Sequence, residues 1–289
     1  MAKSSSSLDT LIEDIYKPLE GLAKGQSLSL KEEDLDKTLE NIKQSILSWA
    51  NPPTGEDSSF RLRMSNIGRP ARKLWYESRD TDEGHIDAPT QIRFLYGHIL
   101  EEIILMLVRL AGRKVTDQQK EVTVEGITGH IDCKIDNEIV DIKTASKFSF
   151  SKFVNKTLVD YDAFGYLSQL AGYEAAEGTN DGGFLVINKE SGDLCFYRPE
   201  DLEKPNIKHK IQYLKNVLEL NEPPELCYNP VAEGKKGNMK LNKGCVYCKY
   251  KFDCYKDSND GQGLRVFKYA SGPVYFTEVL SEPSVEEIT

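Results

Sequence analysis

Two β-prone runs joined by a tight-turn dipeptide constrain the fold of this 289-residue chain most strongly. Residues 128–135 and 139–143 alternate or run apolar and are rich in β-branched side chains, and Asp136-Asn137 lies between them. A dipeptide of this kind favours a short hairpin turn. The sequence therefore predicts an antiparallel β-hairpin here, with a further strand at 121–124.

The segments around the hairpin predict an α/β fold with a mixed central sheet flanked by helices, a restriction-endonuclease-like core. Apolar residues recur at helical spacing on both sides of the hairpin, and two more β-prone runs follow. The predicted helices are 90–110, 163–176 and 205–220, and the predicted strands are 184–188 and 194–197. Residues 1–58 predict a helical N-terminal extension, whose second helix we expect to begin at a capping box formed by Ser29 and Glu32.

Composition excludes several classes of protein. The chain is 39% hydrophobic, which is enough for a packed core and too much for a disordered chain. No apolar run approaches the roughly 18 residues of a membrane-spanning helix. No hydrophobic stretch follows the N-terminus, so we expect no secretory signal and a cytoplasmic protein. The six cysteines are then expected to be reduced thiols or metal ligands rather than a disulfide framework.

The formal net charge of −9 argues by itself against binding to nucleic acid, but the distribution of the charges changes this conclusion. Residues 1–58 hold 6 basic and 11 acidic side chains, and residues 257–289 hold 2 and 6, so residues 59–256 are net neutral. Within this middle part, six cations fall close together: Arg61, Arg63, Arg69, Arg72, Lys73 and Arg79. Local potential governs binding of a polyanion, so a nucleic-acid substrate is not excluded.

The predicted hairpin places acidic side chains together. Asp132 and Asp141 lie in neighbouring strands, and alternation puts Lys143 on the same face as Asp141. Apolar side chains cover the other face: Ile131, Ile135, Val140 and Ile142. Two close carboxylates repel unless a cation neutralises them, and their hard oxygens suit Mg²⁺ or Mn²⁺. The alternative interpretation is an ordinary charged hairpin that faces solvent.

Two further patterns favour the functional interpretation. Glu101 or Glu102 lies within or beside the buried face of the helix before the sheet, where an unpaired carboxylate is costly. Gln169 and Tyr173 are four residues apart, on one face of the helix after the hairpin.

Taken in order, Gly97-x-x-x-Glu101, Gly129-x-x-Asp132, Asp141-x-Lys143 and Gln169-x-x-x-Tyr173 resemble the motifs of the PD-(D/E)XK nucleases, in their RecB-like branch. The resemblance covers residues 60–256 and is strongest to phage-encoded exonucleases. It implies that Glu101, Asp132 and Asp141 bind Mg²⁺ or Mn²⁺, with Glu102 as the alternative to Glu101. It also implies that Lys143 is the catalytic lysine and that Gln169 and Tyr173 belong to the site.

The same resemblance suggests roles for two other residues. Lys189 resembles a lysine that follows a strand in this branch, and His130 either touches the scissile phosphate or hydrogen-bonds within the sheet. The implied function is a metal-dependent exonuclease of linear DNA ends that leaves a 5′-phosphate and serves recombination, repair or degradation. The alternatives are a structure-specific endonuclease and a non-catalytic DNA-binding scaffold.

The cysteines form a second candidate site. Cys245, Cys248 and Cys254 have the spacing C-x₂-C-x₅-C, and Cys227 lies upstream. Four thiolates in one loop-rich segment indicate a structural Zn²⁺ or an iron–sulfur cluster. The spacing is similar to that of AddB-type subunits and CRISPR adaptation nucleases, whose fourth cysteine lies near the N-terminus. The corresponding segment here, residues 64–76, contains none, so Cys227 is the candidate.

Possible DNA contacts lie outside these motifs. Residues 69–76 combine cations with aromatic rings, a pattern that fits either phosphate tracking and base stacking or core anchors with a solvated basic face; they are Arg69, Arg72, Lys73, Trp75 and Tyr76. Lys235 and Lys236 lie in a Gly-bounded loop that could clamp phosphate. We expect the acidic residues 281–289 to be disordered and available to a protein partner. The expected domains are 1–58, 59–226 (nuclease core), 227–256 (cysteine region) and 257–289.

Overall fold

The structure is a computed structural model that describes residues 8–52, 59–80, 87–199 and 204–288. Contacts divide the chain into two compact units. The first comprises Met1–Gly68 with Asp82–Gln212, and the second comprises Arg69–Thr81 with Tyr213–Thr289. None of the helices in the described ranges has both the length and the apolar character to cross a bilayer.

Helices and strands occur in short runs along the described part of the chain, beginning with four helices and then five strands. The helices are α1 (Leu11–Ala23), α2 (Glu32–Ala50), α3 (Ala71–Glu77), α4 (Ala88–Leu110), α5 (Lys147–Val154), α6 (Tyr166–Glu177), α7 (Ile207–Leu218), α8 (Lys243–Val246) and α9 (Lys251–Cys254). The strands are β1 (Val115–Thr116), β2 (Lys120–Val124), β3 (Ile127–Ile131), β4 (Cys133–Ile135), β5 (Glu138–Ala145), β6 (Gly183–Asn188), β7 (Leu194–Tyr197), β8 (Val231–Glu233), β9 (Asn238–Lys240), β10 (Arg265–Tyr269) and β11 (Gly272–Glu278).

A mixed five-stranded sheet forms the centre of the first unit and confirms the predicted fold class. Its strand order is β1-β4-β5-β6-β7. Only β5 and β6 are parallel, and the other neighbours pair antiparallel. A parallel pair needs a long crossover, which α5 and α6 supply.

Helices cover both faces of this sheet. On one face, α1 and α4 contribute Leu11, Ile15 and Leu105 to a core that includes Val140 and Ile142 of β5. On the other face, α5 inserts an aromatic residue against β6 and β7: the rings of Phe153 and Phe184 lie 5.5 Å apart, edge to face. Burial of both faces explains why most positions of β6 are apolar and why five of the eight residues of β5 are buried.

The predicted hairpin forms, but its first strand is not continuous. Asp136 and Asn137 both adopt positive φ, 50° and 73°, as a tight hairpin turn requires. The predicted strand 128–135 is wrong in one respect, because it breaks at Asp132 into β3 and β4. β3 pairs with β2 in a separate two-stranded sheet, whereas β4 pairs with β5. A change of partner between consecutive strands leaves Asp132 at the junction.

The predicted start of the second helix is also wrong. α2 begins at Glu32 with Lys31 at its N-cap, and no side chain caps it. Acidic side chains in the first turn, Glu32, Glu33 and Asp34, stabilise the positive end of the helix dipole instead.

The second unit contains an antiparallel sheet of order β10-β11-β9-β8, which the sequence patterns did not predict. The expectation that residues 281–289 are disordered is wrong for the described residues 281–288. The backbone N–H of Ile288 donates to Val266 O at 2.8 Å, and the Arg265 guanidinium pairs with Glu282 and Glu287 at 2.6 Å each. Two acidic side chains of this segment, Glu282 and Glu287, therefore share a cationic partner within the same unit.

Candidate functional site

Strand β5 carries a buried ion pair. Asp141 and Lys143 lie on one face, as alternation predicts, and Lys143 Nζ is 2.6 Å from Asp141 Oδ2. The Asp141 side chain is only 1% exposed. Apart from this ion pair, neither carboxylate oxygen has a hydrogen-bond partner among the described residues. A buried carboxylate ordinarily gains several hydrogen bonds, so Asp141 is unusually short of donors.

Asp132 joins this pair from the strand junction. The register of β4 against β5 pairs Cys133 with Val140, and its continuation brings Asp132 opposite Asp141. The backbone N–H of Ile142 donates to Asp132 Oδ2 at 2.7 Å. This hydrogen bond fixes the Asp132 carboxylate next to β5, where the sequence predicted two acids side by side.

Of the two consecutive glutamates on α4, Glu101 is the one that interacts with these charges. Glu102 is buried and occupied, because Asn41 donates to its Oε2 at 3.0 Å. Glu101 accepts a hydrogen bond from Gln119 at 2.9 Å and lies close enough to Asp141 and Lys143 for electrostatic interaction. The surroundings therefore favour Glu101 over Glu102 as a member of the acidic group.

Helix α6 adds three polar side chains to the same place. Gln169 Nε2 donates to the Tyr173 hydroxyl at 2.9 Å, and Gln169 Oε1 lies 3.5 Å from Lys143 Nζ. The Lys143 ammonium also lies 5.0 Å from the ring centroid of Tyr166. We refer to Glu101, Asp132, Asp141, Lys143, Gln169 and Tyr173 as the carboxylate–lysine group.

The protonation behaviour of this group follows from burial and mutual repulsion. Burial, and then the charges of Glu102 and Asp141, raise the pKa of Glu101 to about 7. Burial and the charge of Asp141 raise the pKa of Asp132 well above its ordinary value. Burial alone would lower the pKa of Lys143, but the carboxylates of Asp141 and Asp132 outweigh burial and raise it. The arrangement thus concentrates negative charge that a cation would relieve.

The donor set fits a hard divalent cation in its chemistry. All three acids offer oxygen atoms, and among the described residues Asp141 Oδ1 has no hydrogen-bond donor that a cation would have to displace. Within the described ranges, no three His, Cys, Asp or Glu side chains already converge closely enough to hold a metal ion. Occupation of this site would therefore require the Lys143 ammonium and the acids to rearrange.

The second unit brings the four cysteines of the C-terminal region around one small cavity. Cys227, Cys245, Cys248 and Cys254 all line a space of about 30 Å³. Their thiols are free. Burial raises the pKa of Cys245 to about 11, and neighbouring Cys227 acts in the same direction. Arg72, from the segment that lacks a cysteine, donates to Cys254 Sγ at 3.4 Å.

The candidate DNA-binding residues fall into two environments. Trp75 is buried in the second unit, and its indole N–H donates to Leu220 O at 2.8 Å, which favours the core-anchor interpretation. Tyr76 stacks on Tyr250 at 5.3 Å. Arg69 and Lys73 both face Glu77, at 3.2 and 3.8 Å. The exposed candidates are His130, whose nearest acid is Glu121 at 3.7 Å, and Lys189, Lys235 and Lys236.

Sequence patterns missed several residues around the carboxylate–lysine group. Tyr166 lies three residues before Gln169, and this helical spacing is a signal that could have identified it. Gln119 and Asn41 carry no such signal, because they reach the two glutamates from distant segments.

No protein-family model and no curated protein matches this chain. Among solved structures, it is similar to a protein designated SSO0001, with 16% identity and a TM-score of 0.39 over 74% of this chain and 93% of that one. It is also similar to an alkaline exonuclease, LHK-Exo, from Laribacter hongkongensis, with 15% identity and a TM-score of 0.39 over 55% and 88% of the two chains. The complex of LHK-Exo with dAMP gives 13% identity and a TM-score of 0.35 over 55% and 90%. At these TM-scores the similarities carry no argument about family or activity.

The raised pKa of Glu101 predicts how stability depends on pH in EDTA. The fold favours the protonated carboxyl, so its contribution is complete below pH 4.5 and is lost as pH rises towards 7. Glu101→Gln should remove up to about 3 kcal/mol of this loss in urea-unfolding measurements across that range. Glu121→Gln, at an exposed site, should leave the slope unchanged. An unaltered slope in Glu101→Gln would contradict the placement of Glu101 among the acids.

Proposed function

We propose that this protein is a Mg²⁺- or Mn²⁺-dependent deoxyribonuclease that hydrolyses phosphodiester bonds at linear DNA ends. The observation that carries the proposal is the buried Asp141 carboxylate, which has the Lys143 ammonium as its one close partner among the described residues and lies beside two further acids. A site that only stabilised the fold would gain from satisfying or replacing such a carboxylate. A buried carboxylate in these surroundings is typical of a group that binds a cation and takes part in a reaction.

Each side chain has a distinct task in this proposal. Glu101, Asp132 and Asp141 would hold the cation, which supplies stabilisation of charge on the phosphoryl oxygens and a more acidic attacking water. Lys143 keeps its proton, because its pKa is raised, and offsets negative charge at the phosphate. Gln169, held by the Tyr173 hydroxyl, limits the positions available to the Lys143 ammonium.

The DNA substrate is supported by the exposed cations rather than by net charge. Lys189 follows β6, the strand that pairs with β5, and is exposed. Lys235 and Lys236 lie in the exposed turn between β8 and β9. Ammonium groups in such positions suit contacts to phosphates. A role in recombination, repair or degradation of DNA in the cytoplasm is the corresponding biological proposal, and the free thiols are compatible with it.

Lys143→Ala is expected to reduce DNA cleavage by at least about 100-fold, because it removes the charge that faces the phosphate. The assay combines end-labelled linear DNA, a covalently closed circle, and Mg²⁺, Mn²⁺ or EDTA. Lys134→Ala is the matched control: this lysine lies on β4, next to β5, but pairs with Glu177 and Asp117. The Lys134→Ala variant should cleave DNA like the wild type.

Loss of the linear form alone, dependent on metal and absent in Lys143→Ala, would support the exonuclease. Cleavage of the circle would change the proposal to an endonuclease. Full activity in Lys143→Ala would overturn the assignment of the site. Circular dichroism of each variant separates loss of chemistry from loss of fold, since removal of Lys143 leaves Asp141 buried without its charge partner.

We also propose that the four cysteines hold one structural Zn²⁺. All four thiols line the same cavity, and tetrahedral coordination by four cysteines is common for this ion. Binding would require the thiols to close around the ion and lose their protons. The raised pKa values of Cys227 and Cys245 make the loss of their protons dependent on the metal.

Protein purified under reducing conditions is expected to contain about one zinc per chain and no iron–sulfur absorption in the visible range. Cys248→Ser should lose the zinc, because three thiolates bind it less tightly than four. Cys195→Ser, a change in β7 outside this cluster, should retain it. If metal analysis finds iron and acid-labile sulfide, the assignment changes from zinc to an iron–sulfur cluster. If it finds neither zinc nor iron, the proposal of a metal site is wrong.

A further inference from the structure

A short stack of aromatic rings leads outward from the carboxylate–lysine group. Tyr166 lies beside Lys143, whose Nζ is 5.0 Å from the Tyr166 ring centroid. The ring of Phe164 stacks on Tyr166 with centroids 5.4 Å apart and planes inclined by 20°. Phe164 is therefore two ring contacts away from the ammonium that the proposed function places at the phosphate.

Phe164 presents an open aromatic surface at the end of this stack. It is 60% exposed, although it packs against Tyr166, so much of the rest of the side chain contacts water. A phenyl ring has no hydrogen-bonding group, and so it gains nothing from this exposure. A flat apolar ring left open beside a charged site is suited to stacking against another flat ring.

The backbone holds Phe164 in place before any ligand binds. The Asp162 carboxylate accepts hydrogen bonds from the backbone N–H groups of Tyr166 and Leu167, at 2.8 and 2.9 Å, and so caps α6. Gly165 adopts φ +78° and its backbone packs directly on Gly68, where an added Cβ would approach to 2.2 Å. This close approach excludes larger side chains at either glycine. A preformed loop lowers the entropic cost of binding.

We propose that Phe164 is a binding residue that stacks on a nucleobase adjacent to the phosphate that is cleaved. This inference rests on the proposed nuclease function and names a contact to the DNA base within it. Because every base has a π-face, the contact is tolerant of sequence and requires an unpaired or frayed base. It therefore assigns single-stranded or frayed ends to this site.

The test measures the affinity of a short fluorescent single-stranded oligonucleotide by anisotropy, with Ca²⁺ in place of Mg²⁺. Phe164→Ala and Phe164→Leu are expected to weaken binding about tenfold, since each removes the stacking surface, and Phe164→Tyr should stay within about twofold of the wild type. Phe148→Ala is the matched control. Phe148 is 75% exposed on α5 and contacts the Lys152 ammonium rather than another ring.

A series of oligonucleotides with one abasic position then identifies the stacked base. One position should weaken binding to the wild type about as much as Phe164→Ala does, and that position should have no further effect in Phe164→Ala. Equal affinities of wild type and Phe164→Ala, or additive losses, would overturn the inference.

Mg²⁺-dependent cleavage by the wild type, measured in parallel, separates this inference from the proposed function. A wild type that cleaves while Phe164→Ala binds and cleaves equally well refutes only the stacking contact. A wild type that neither cleaves nor binds refutes both.

Discussion

The burial of Asp141 beside Lys143 is the interaction on which the rest of the site depends. Removal of one partner from a buried ion pair typically costs about 3–5 kcal/mol, because the other charge is left without compensation. The pair lies in β5, whose neighbouring positions Val140 and Ile142 belong to the main core. The carboxylate is therefore held by a strand that is fixed in the main core of the first unit. Its missing hydrogen bonds are the clearest departure from what stability alone would favour.

Three different features of the fold bring other members of the group close to Asp141. Asp132 arrives because the chain changes sheets between β3 and β4, and the N–H of Ile142 then fixes its carboxylate. Glu101 arrives from α4, while Asn41 keeps its neighbour Glu102 engaged elsewhere. Gln169 arrives from α6, in the crossover between the two parallel strands. Strand β5 is therefore the element around which acids that are distant in sequence come together.

Much of this could be predicted from local sequence, because the signals are local. The turn at Asp136-Asn137 and the alternation of Asp141 with Lys143 depend only on neighbouring residues. The break at Asp132 could not be predicted, since an alternating pattern does not report which strand is its partner. The sheet formed by β8–β11 could not be predicted, because β8 and β9 have three residues each, which is too few for a periodic signal. Contacts between residues distant in sequence also explain why residues 286–288 are ordered against β10 and why Trp75 is buried.

Calorimetric titration of the apo protein with Mn²⁺ tests most directly whether the carboxylate–lysine group is a cation site. The titration is performed near pH 6.5 in buffers of different ionisation enthalpy. We expect Mn²⁺ to bind with release of protons. The pKa of Glu101 is raised, so this carboxyl retains a proton that the cation displaces. We predict that Asp141→Asn abolishes this binding and that an exposed control, Glu121→Gln, preserves it. Equal Mn²⁺ binding by wild type and Asp141→Asn, or no binding by either, would contradict the account.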